Sequence, residues 1–582
     1  MSHLWQLFTD AAEHGRSLSL PMQEGQPEFT LAELLERAER SAGDVIERTG
    51  ARTRTGTPRC LGVLMNNGEP WVRSALMAFR LDAAVVPLPL PVGFVGAEAY
   101  TAHLRRIADS AQLDAILIDD SLGPAIARRV ASSLPDIVFI DVTEPGPGQE
   151  LGQALKPPDF ANADSTLAVI QYTSGSTSAP KGVTLTHANV TAGLAGVTGG
   201  LGFTDEDCFG VWIPMFHDMG LFTVLSSLAR GNSVCLWRPR DFVRRPMLWL
   251  DSFAKSSATV MAAPNFCYDL LVAAVRQDPP AELDLAKWRV ACNGAEPVQR
   301  RTVEAFQEAF APYGFRAATM EPVYGMAEAT LIVSASDLSA PWRALSVDRD
   351  RLQIGDAVLM LPDDAAGARP VVSCGKAAPG LRLRISAADG SVVDGSVVDG
   401  SARTVTDQVG EVQLSGPAVT GGYLNLPAEQ QPFTADGWLR TGDLGFLHDG
   451  ELYLVGRVKD MITVRGQNFY AEDVEEIVRT TLAAEQPGAG VLRSAAIPWT
   501  LDAAAGGEVE RMVVLWETAL AGPESERLAR LAADQVRHQL GLDEVSVVPV
   551  PTAAIPHTTS GKVQRHGALG LYRSLADDAT KG

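Results

Sequence analysis

Positive charge is scarce in this chain: 49 Lys and Arg stand against 70 Asp and Glu, a formal charge of −21. A field of that sign repels phosphate polymers and anionic surfaces at long range, which argues against a general nucleic-acid binder. A phosphate ligand would have to be held by a local cluster of N–H groups, a cation or a metal. Cysteine is sparse too. Cys60, Cys208, Cys235, Cys267, Cys292 and Cys374 form no C-x-x-C pair, and most sit in apolar runs such as NSVCLW and WRVACNG. They read as reduced core thiols of a cytoplasmic protein, not as a disulfide framework. Long apolar runs are missing as well. The greasiest stretch, AAVVPLPLPVGFVG (83–96), holds three prolines and falls short of the roughly 20 residues of a membrane helix. The N-terminus MSHLWQLFTDAAEHGRS lacks a basic region followed by an apolar one, so no secretory leader and no integral membrane segment are expected.

What is present is ordinary globular composition, 46% hydrophobic and 20% charged, over 582 residues. That length corresponds to about four units of roughly 150 residues, or to fewer large ones. From about residue 60, short β-branched runs alternate with longer amphipathic ones: DAILID (114–119), SLGPAIARRVASSL (121–134), DIVFIDV (136–142), then SVCLW, ATVMAAP and WRVACNGA. This is the pattern of βα units around a largely parallel sheet, so the fold class is α/β. After residue 370 the strands become short and glycine-rich. DGSVV at 389–393 recurs at 394–398, which predicts a lengthened surface hairpin without a chemical role. The last block, from near Gly456, reads as a small α+β unit.

The strongest local signal is AVIQYTSGSTSAPKGVTLTH (168–187): an apolar strand, a Ser/Thr/Gly loop, then Lys181 and a helical stretch. Successive N–H groups in such a loop form an anion-binding concavity, and the hydroxyls of Thr173, Ser174, Ser176 and Thr177 around Gly175 add donors. The Walker A pattern G-x-x-x-x-G-K-[ST] fails at two positions, since Pro180 and Gly182 stand where Gly and Ser/Thr are required. A Ser/Gly linker has the same composition, but a linker need not leave a buried strand and end on Pro-Lys-Gly.

TSGSTSAPKG resembles the phosphate loop of the adenylate-forming superfamily, and further motifs follow in that family's order: NGAEP (293–297), YGMAEAT (324–330), TGDLG (441–445), GRVKD (456–460) and TTSGKVQR (558–565). WIPMFHDMGL, APNFCYDLL, LDLAKWRVACNGAEPV and the segment about 347–375 resemble the fatty acyl-AMP ligase branch. The resemblance implies a large multi-subdomain adenylation domain over 1–456, with an insertion at about 347–375, and a small mobile α+β domain over 457–582.

It also implies roles. Lys562 would bridge the acyl carboxylate and the α-phosphate, and His217 would lie beside that carboxylate. Glu328, with Thr177, would hold Mg²⁺. Tyr324, followed by Gly325, Met326 and Ala327, would stack on adenine opposite Gly294, Ala295 and Glu296. Asp443 and Arg457 would take the ribose hydroxyls, and Lys459 would be the hinge. Each residue alone has a plainer reading: a tail lysine, a satisfied core histidine, a helix-start acid, a core aromatic, a turn aspartate, a strand-end arginine, a surface charge. Ser178 and Ala327 depart from the family's commoner Gly and Thr.

The implied activity uses ATP and Mg²⁺ to turn a fatty or related carboxylic acid into acyl-adenylate and pyrophosphate. The acyl group would then pass to the phosphopantetheine thiol of a separate acyl carrier protein, since no carrier-protein region follows residue 582. An acyl-CoA synthetase and a noncatalytic acyl-adenylate or nucleotide sensor are the alternatives.

Overall fold

A computed structural model describes residues 3–49, 60–91, 96–145, 165–173, 180–393, 407–465, 467–486, 493–503, 507–557 and 562–581. Two large sheets dominate. The first has six strands in the order Val138–Asp141, Ala115–Ile118, Cys60–Leu64, Ala84–Pro87, Leu167–Thr173, Lys181–Thr186. Neighbours are parallel except the last pair. The second has nine strands. Its parallel centre runs Met320–Gly325, Val290–Gly294, Val260–Pro264, Cys208–Val211, Ser233–Leu236, Ser17–Ser19, with antiparallel strands at both edges.

The βα rhythm of the sequence is therefore realised, and its physical reason is visible in the helices. In Arg300–Phe310, Val303, Phe306 and Phe310 recur at helical spacing and are fully buried. Helix Asn265–Gln277 buries Tyr268, Leu271 and Val275 against Trp288 and Phe306. All six cysteines are buried and unbridged.

One expectation is corrected here. Lys181 does not stand directly before a helix. It opens the strand Lys181–Thr186, which folds back antiparallel on Leu167–Thr173 with Thr173 opposite Lys181. Alternation of buried Val183 and Leu185 with outward threonines is a strand period, and the helix His187–Gly200 begins only after Thr186 caps it.

A four-stranded antiparallel sheet follows: Arg382–Ser386, Gly410–Ser415, Leu439–His448, Glu451–Arg457. Asp389 closes a turn at the first copy of the repeat; the second copy lies outside the described residues. Within 347–375 the strand Ala368–Val372 pairs with Ala344–Asp348. Val347, Leu352 and Val371 pack with Phe446, Tyr453 and Tyr470 in one core cluster. This segment is thus packed on both sides, not a free surface hairpin.

The smaller C-terminal domain carries strands Ser494–Ala503, Gly507–Glu517 and Val545–Val550 with helices Ala471–Glu485, Pro523–Leu540 and Arg565–Lys581. Its own core centres on Val514, Trp516, Leu528 and Val536. It meets the large domain through polar contacts: Tyr470 donates to the Leu352 carbonyl at 2.6 Å, Arg369 pairs with Asp473 at 2.7 Å, and Arg301 pairs with Glu476. Among the described residues no helix is long and apolar enough to cross a membrane.

Candidate active site

The C-terminal ends of the central parallel strands open into one cleft of about 3230 Å³, shared between the two domains. This is where α/β sheets place ligands, because loops leaving the strand ends diverge there. Strand Met320–Gly325 delivers Tyr324 and Gly325, and the short turn behind it delivers Met326, Ala327 and Glu328. Gly325 is required by contact, since a Cβ there would lie 2.3 Å from the Leu331 carbonyl oxygen. The strand Val290–Gly294 ends beside Ala295, which adopts φ of 65°, a left-handed conformation unusual for alanine and often found at functional sites. Ala295 and Glu296 face the cleft, whereas Gly294 packs beneath it against Val323.

His217 and Asp218 stand at the N-terminus of helix Asp218–Arg230 and both border the cleft. Their turn is tight: Gly220 approaches Pro214 so closely that a Cβ would meet its carbonyl oxygen at 2.3 Å. Asp218 was not singled out in the sequence, although it belongs to the same WIPMFHDMGL run. Burial pushes its carboxyl up, and the Lys562 ammonium pulls it back down.

Asp443 and Arg457 are direct cross-strand partners in the antiparallel sheet, so register alone brings them together. Arg457 pairs with one carboxylate oxygen of Asp443, while the Tyr324 hydroxyl donates to the other at 2.5 Å. Tyr324 is thereby fixed at the cleft wall, and burial first, with the Asp443 charge second, pushes its phenol well up. Glu328 accepts a hydrogen bond from the Tyr423 hydroxyl at 2.6 Å. The Tyr423 ring lies 5.3 Å from the Lys181 ammonium, within cation–π range. Tyr423 is a second residue that motif reading passed over; the signal was the GGYL run after GPAVT.

Lys562 reaches this cleft from the C-terminal domain. The cleft is open enough that its side chain keeps access to water, yet protein surrounds it closely. Burial and the Arg457 guanidinium push its ammonium down, and Asp218, Glu296 and Asp443 hold it up. Glu296 is itself pushed up by burial and accepts the Phe266 N–H at 2.5 Å, tying it to the start of helix Asn265–Gln277. Three residues after Lys562, Arg565 meets Asp460 at 3.6 Å, Glu472 at 3.3 Å and Glu475 at 3.0 Å. This clamp, invisible in the motif, ties down the chain three residues beyond Lys562. Lys459 also borders the cleft, its ammonium pushed down by burial and by Arg457. Thr173 borders the cleft too, but Ser174, Gly175, Ser176 and Thr177 lie outside the described residues.

The cleft is lined both by charged side chains from the two domains and by apolar ones, among them Trp212, Phe266 and Leu270. That mixture suits a charged nucleotide and an apolar tail. Residues 8–424 match the family described as AMP-binding enzyme. The chain belongs to that family, the adenylate-forming enzymes, and its relatives there include proteins named as fatty-acid AMP ligases beside others named as putative acyl-CoA synthetases. It is 34% identical over 502 residues to the medium-chain-fatty-acid–[acyl-carrier-protein] ligase JamA of Moorena producens, covering 83% of this chain and 81% of that protein. It is 31% identical to the long-chain-fatty-acid–AMP ligase FadD26 of Mycobacterium marinum, covering 88% and 87%. A structure from a study of fatty acyl-adenylate ligases of E. coli and L. pneumophila matches with TM-score 0.84 and 29% identity, covering 99% of both chains.

Proposed function

We propose that this chain is a fatty acyl-AMP ligase. A fatty-acid carboxylate oxygen attacks the α-phosphorus of ATP, the bond to the bridging oxygen breaks and pyrophosphate leaves. The acyl-adenylate is then attacked at its carbonyl carbon by a carrier-protein thiol, and AMP leaves. The observation that carries this reading is the convergence of Lys562, from the C-terminal domain, with Asp218, Glu296 and Asp443 on one cleft that apolar side chains also line.

The chemistry calls for such a cation. Two unit anions about 4 Å apart repel by roughly 4 kcal/mol at an effective dielectric of 20, about a thousandfold in rate. In this reading Lys562 screens the approach of carboxylate to phosphate. In this reading Asp443 and Arg457 orient the ribose, Tyr324 with Ala295 and Glu296 flanks the base, and Lys181 with Thr173, Ser174, Gly175, Ser176 and Thr177 binds the polyphosphate. His217 lies at the junction with the acid. Among the described residues no three metal-type side chains cluster into an all-protein cage. One carboxylate beside phosphates is a donor set that Mg²⁺ commonly uses, and Glu328, with Thr177, fits it. The ion would neutralise phosphate charge.

Residues 457–582 are proposed to rotate about Lys459 so that the thiol can enter once Lys562 withdraws. Incubation with ATP and a fatty acid, offering either CoA or a phosphopantetheinylated carrier protein, tests the assignment. Acyl-carrier product with little acyl-CoA is expected; rapid acyl-CoA formation would overturn the carrier step, and absence of acid-dependent ATP–pyrophosphate exchange would overturn the enzyme reading.

A further inference from the structure

Part of the cleft's border is apolar. One face of helix Asn265–Gln277 lines it from Phe266, beside Glu296, through Leu270 and Ala273 to Gln277, a distance of about 16 Å at 1.5 Å per residue. Residues at spacings of three and four point to one side of a helix, so this wall is continuous. At the C-terminal end of that helix Arg276 and Gln277 are exposed, and Pro239, Arg240, Val243 and Arg244 of the short helix Pro239–Arg244 border the same cleft.

The surface around that end is unlike the rest of the molecule. Residues 238–248 hold four arginines against the single Asp241, in a chain whose net charge is −21. Asp241 is turned inward, accepting the Arg238 N–H at 3.3 Å, and stands 4.0 Å from Arg240. The nearest carboxylate to Arg276 is Glu308 at 3.8 Å. Among the same arginines Val243 is 57% exposed and Leu248 46% exposed. Rigidity is supplied from beneath: Phe242 stacks on Trp212 with ring centres 3.9 Å apart and meets Trp249 edge-on.

We infer that this patch docks the protein on an anionic lipid surface, so that the cleft it borders faces the membrane from which its fatty acid is drawn. The inference rests on the fatty-acid reading above. A protruding apolar pair ringed by arginines is the chemistry of interfacial attachment, where apolar side chains enter the acyl boundary and each cation near the surface is attracted to anionic headgroups. The chain's overall negative field does not prevent this, because screening confines it to about 8 Å at physiological salt. An acidic protein would also meet the arginines, but it would not account for two bare aliphatic side chains, Val243 and Leu248, among them.

The test is flotation of the full chain with phosphatidylcholine vesicles, with and without one third phosphatidylglycerol. The comparison is the double variant Arg245→Glu, Leu248→Ser, whose positions do not line the cleft. Wild-type protein is expected to float with anionic vesicles, less so as salt rises, and the variant to bind about tenfold more weakly. Its melting temperature and its ATP–pyrophosphate exchange with a short, water-soluble fatty acid should be unchanged. Exchange by both proteins keeps the enzyme reading separate from the docking one. Failure of wild-type to prefer anionic vesicles, or equal binding by the variant, would overturn the inference. A variant that floats normally but shows a raised KM for the carrier protein would assign the patch to an acidic protein instead.

Discussion

Tyr423 donates its hydroxyl to Glu328 while its ring lies 5.3 Å from the Lys181 ammonium. One side chain from the loop after strand Gly410–Ser415 thus ties the lysine that follows the phosphate-type loop to the acid proposed for the metal. Tyr423→Phe should keep the ring and lose the hydrogen bond. Since hydrogen bonds to charged groups are worth about 1.5–3 kcal/mol, exchange activity should fall roughly ten- to hundredfold. Tyr423→Leu should fall further and raise the KM for ATP. Equal activity of Tyr423→Phe and wild-type in ATP–pyrophosphate exchange would remove Tyr423 from the site.

Lys562→Ala is expected to lower adenylation by about a thousandfold while ATP binding, measured by calorimetry, stays close to wild-type. Unchanged adenylate formation would refute the role given to the ammonium.

The pH dependence has a worked sign. The Lys562 ammonium is pushed below its ordinary value by burial and Arg457, and held up by Asp218 and Glu296. Activity that needs the ammonium is present below that shifted value and lost as pH rises through it. Asp218→Asn removes one carboxylate that favours the cation, so the basic limb of the kcat/KM profile should move to lower pH. A limb that stays in place or moves upward contradicts the proximity of the two groups.

Glu321 is buried on strand Met320–Gly325, and burial, with the Asp337 charge, pushes its carboxyl up to about 9. A folded-state value above the unfolded one means the folded protein holds the proton more tightly. The destabilisation is absent below about 4.5 and grows as pH rises toward 9. Glu321→Gln should therefore raise Tm at pH 8 by more than at pH 5, as differential scanning calorimetry would show. An equal change at both pH values would mean that the carboxyl ionises freely in the fold.

Much of the architecture was legible along the chain. Runs such as DAILID and ATVMAAP became buried parallel strands because their side chains must be covered on both faces, which only flanking helices can do. The stretch after Lys181 was read as leading into a helix and is instead a strand. KGVTLT is short enough for either, and pairing with Leu167–Thr173 settles the matter. Asp218, Tyr423 and Arg565 escaped notice because their importance lies in partners far away in the chain, with 95 residues separating Tyr423 from Glu328 and 90 separating Arg565 from Glu475.

By itself the sequence determined the α/β class, the reduced core cysteines and the ordered motifs that mark an adenylate-forming enzyme, because periodicity and local motifs act over a few residues. Only the tertiary structure decided which charges face one another, that Arg565, three residues from Lys562, is tied to Glu472 and Glu475, and that a basic, partly apolar stretch borders the cleft. Coulomb forces, burial and packing depend on distances through space, and those distances are set only when the sheets and the small domain have come together.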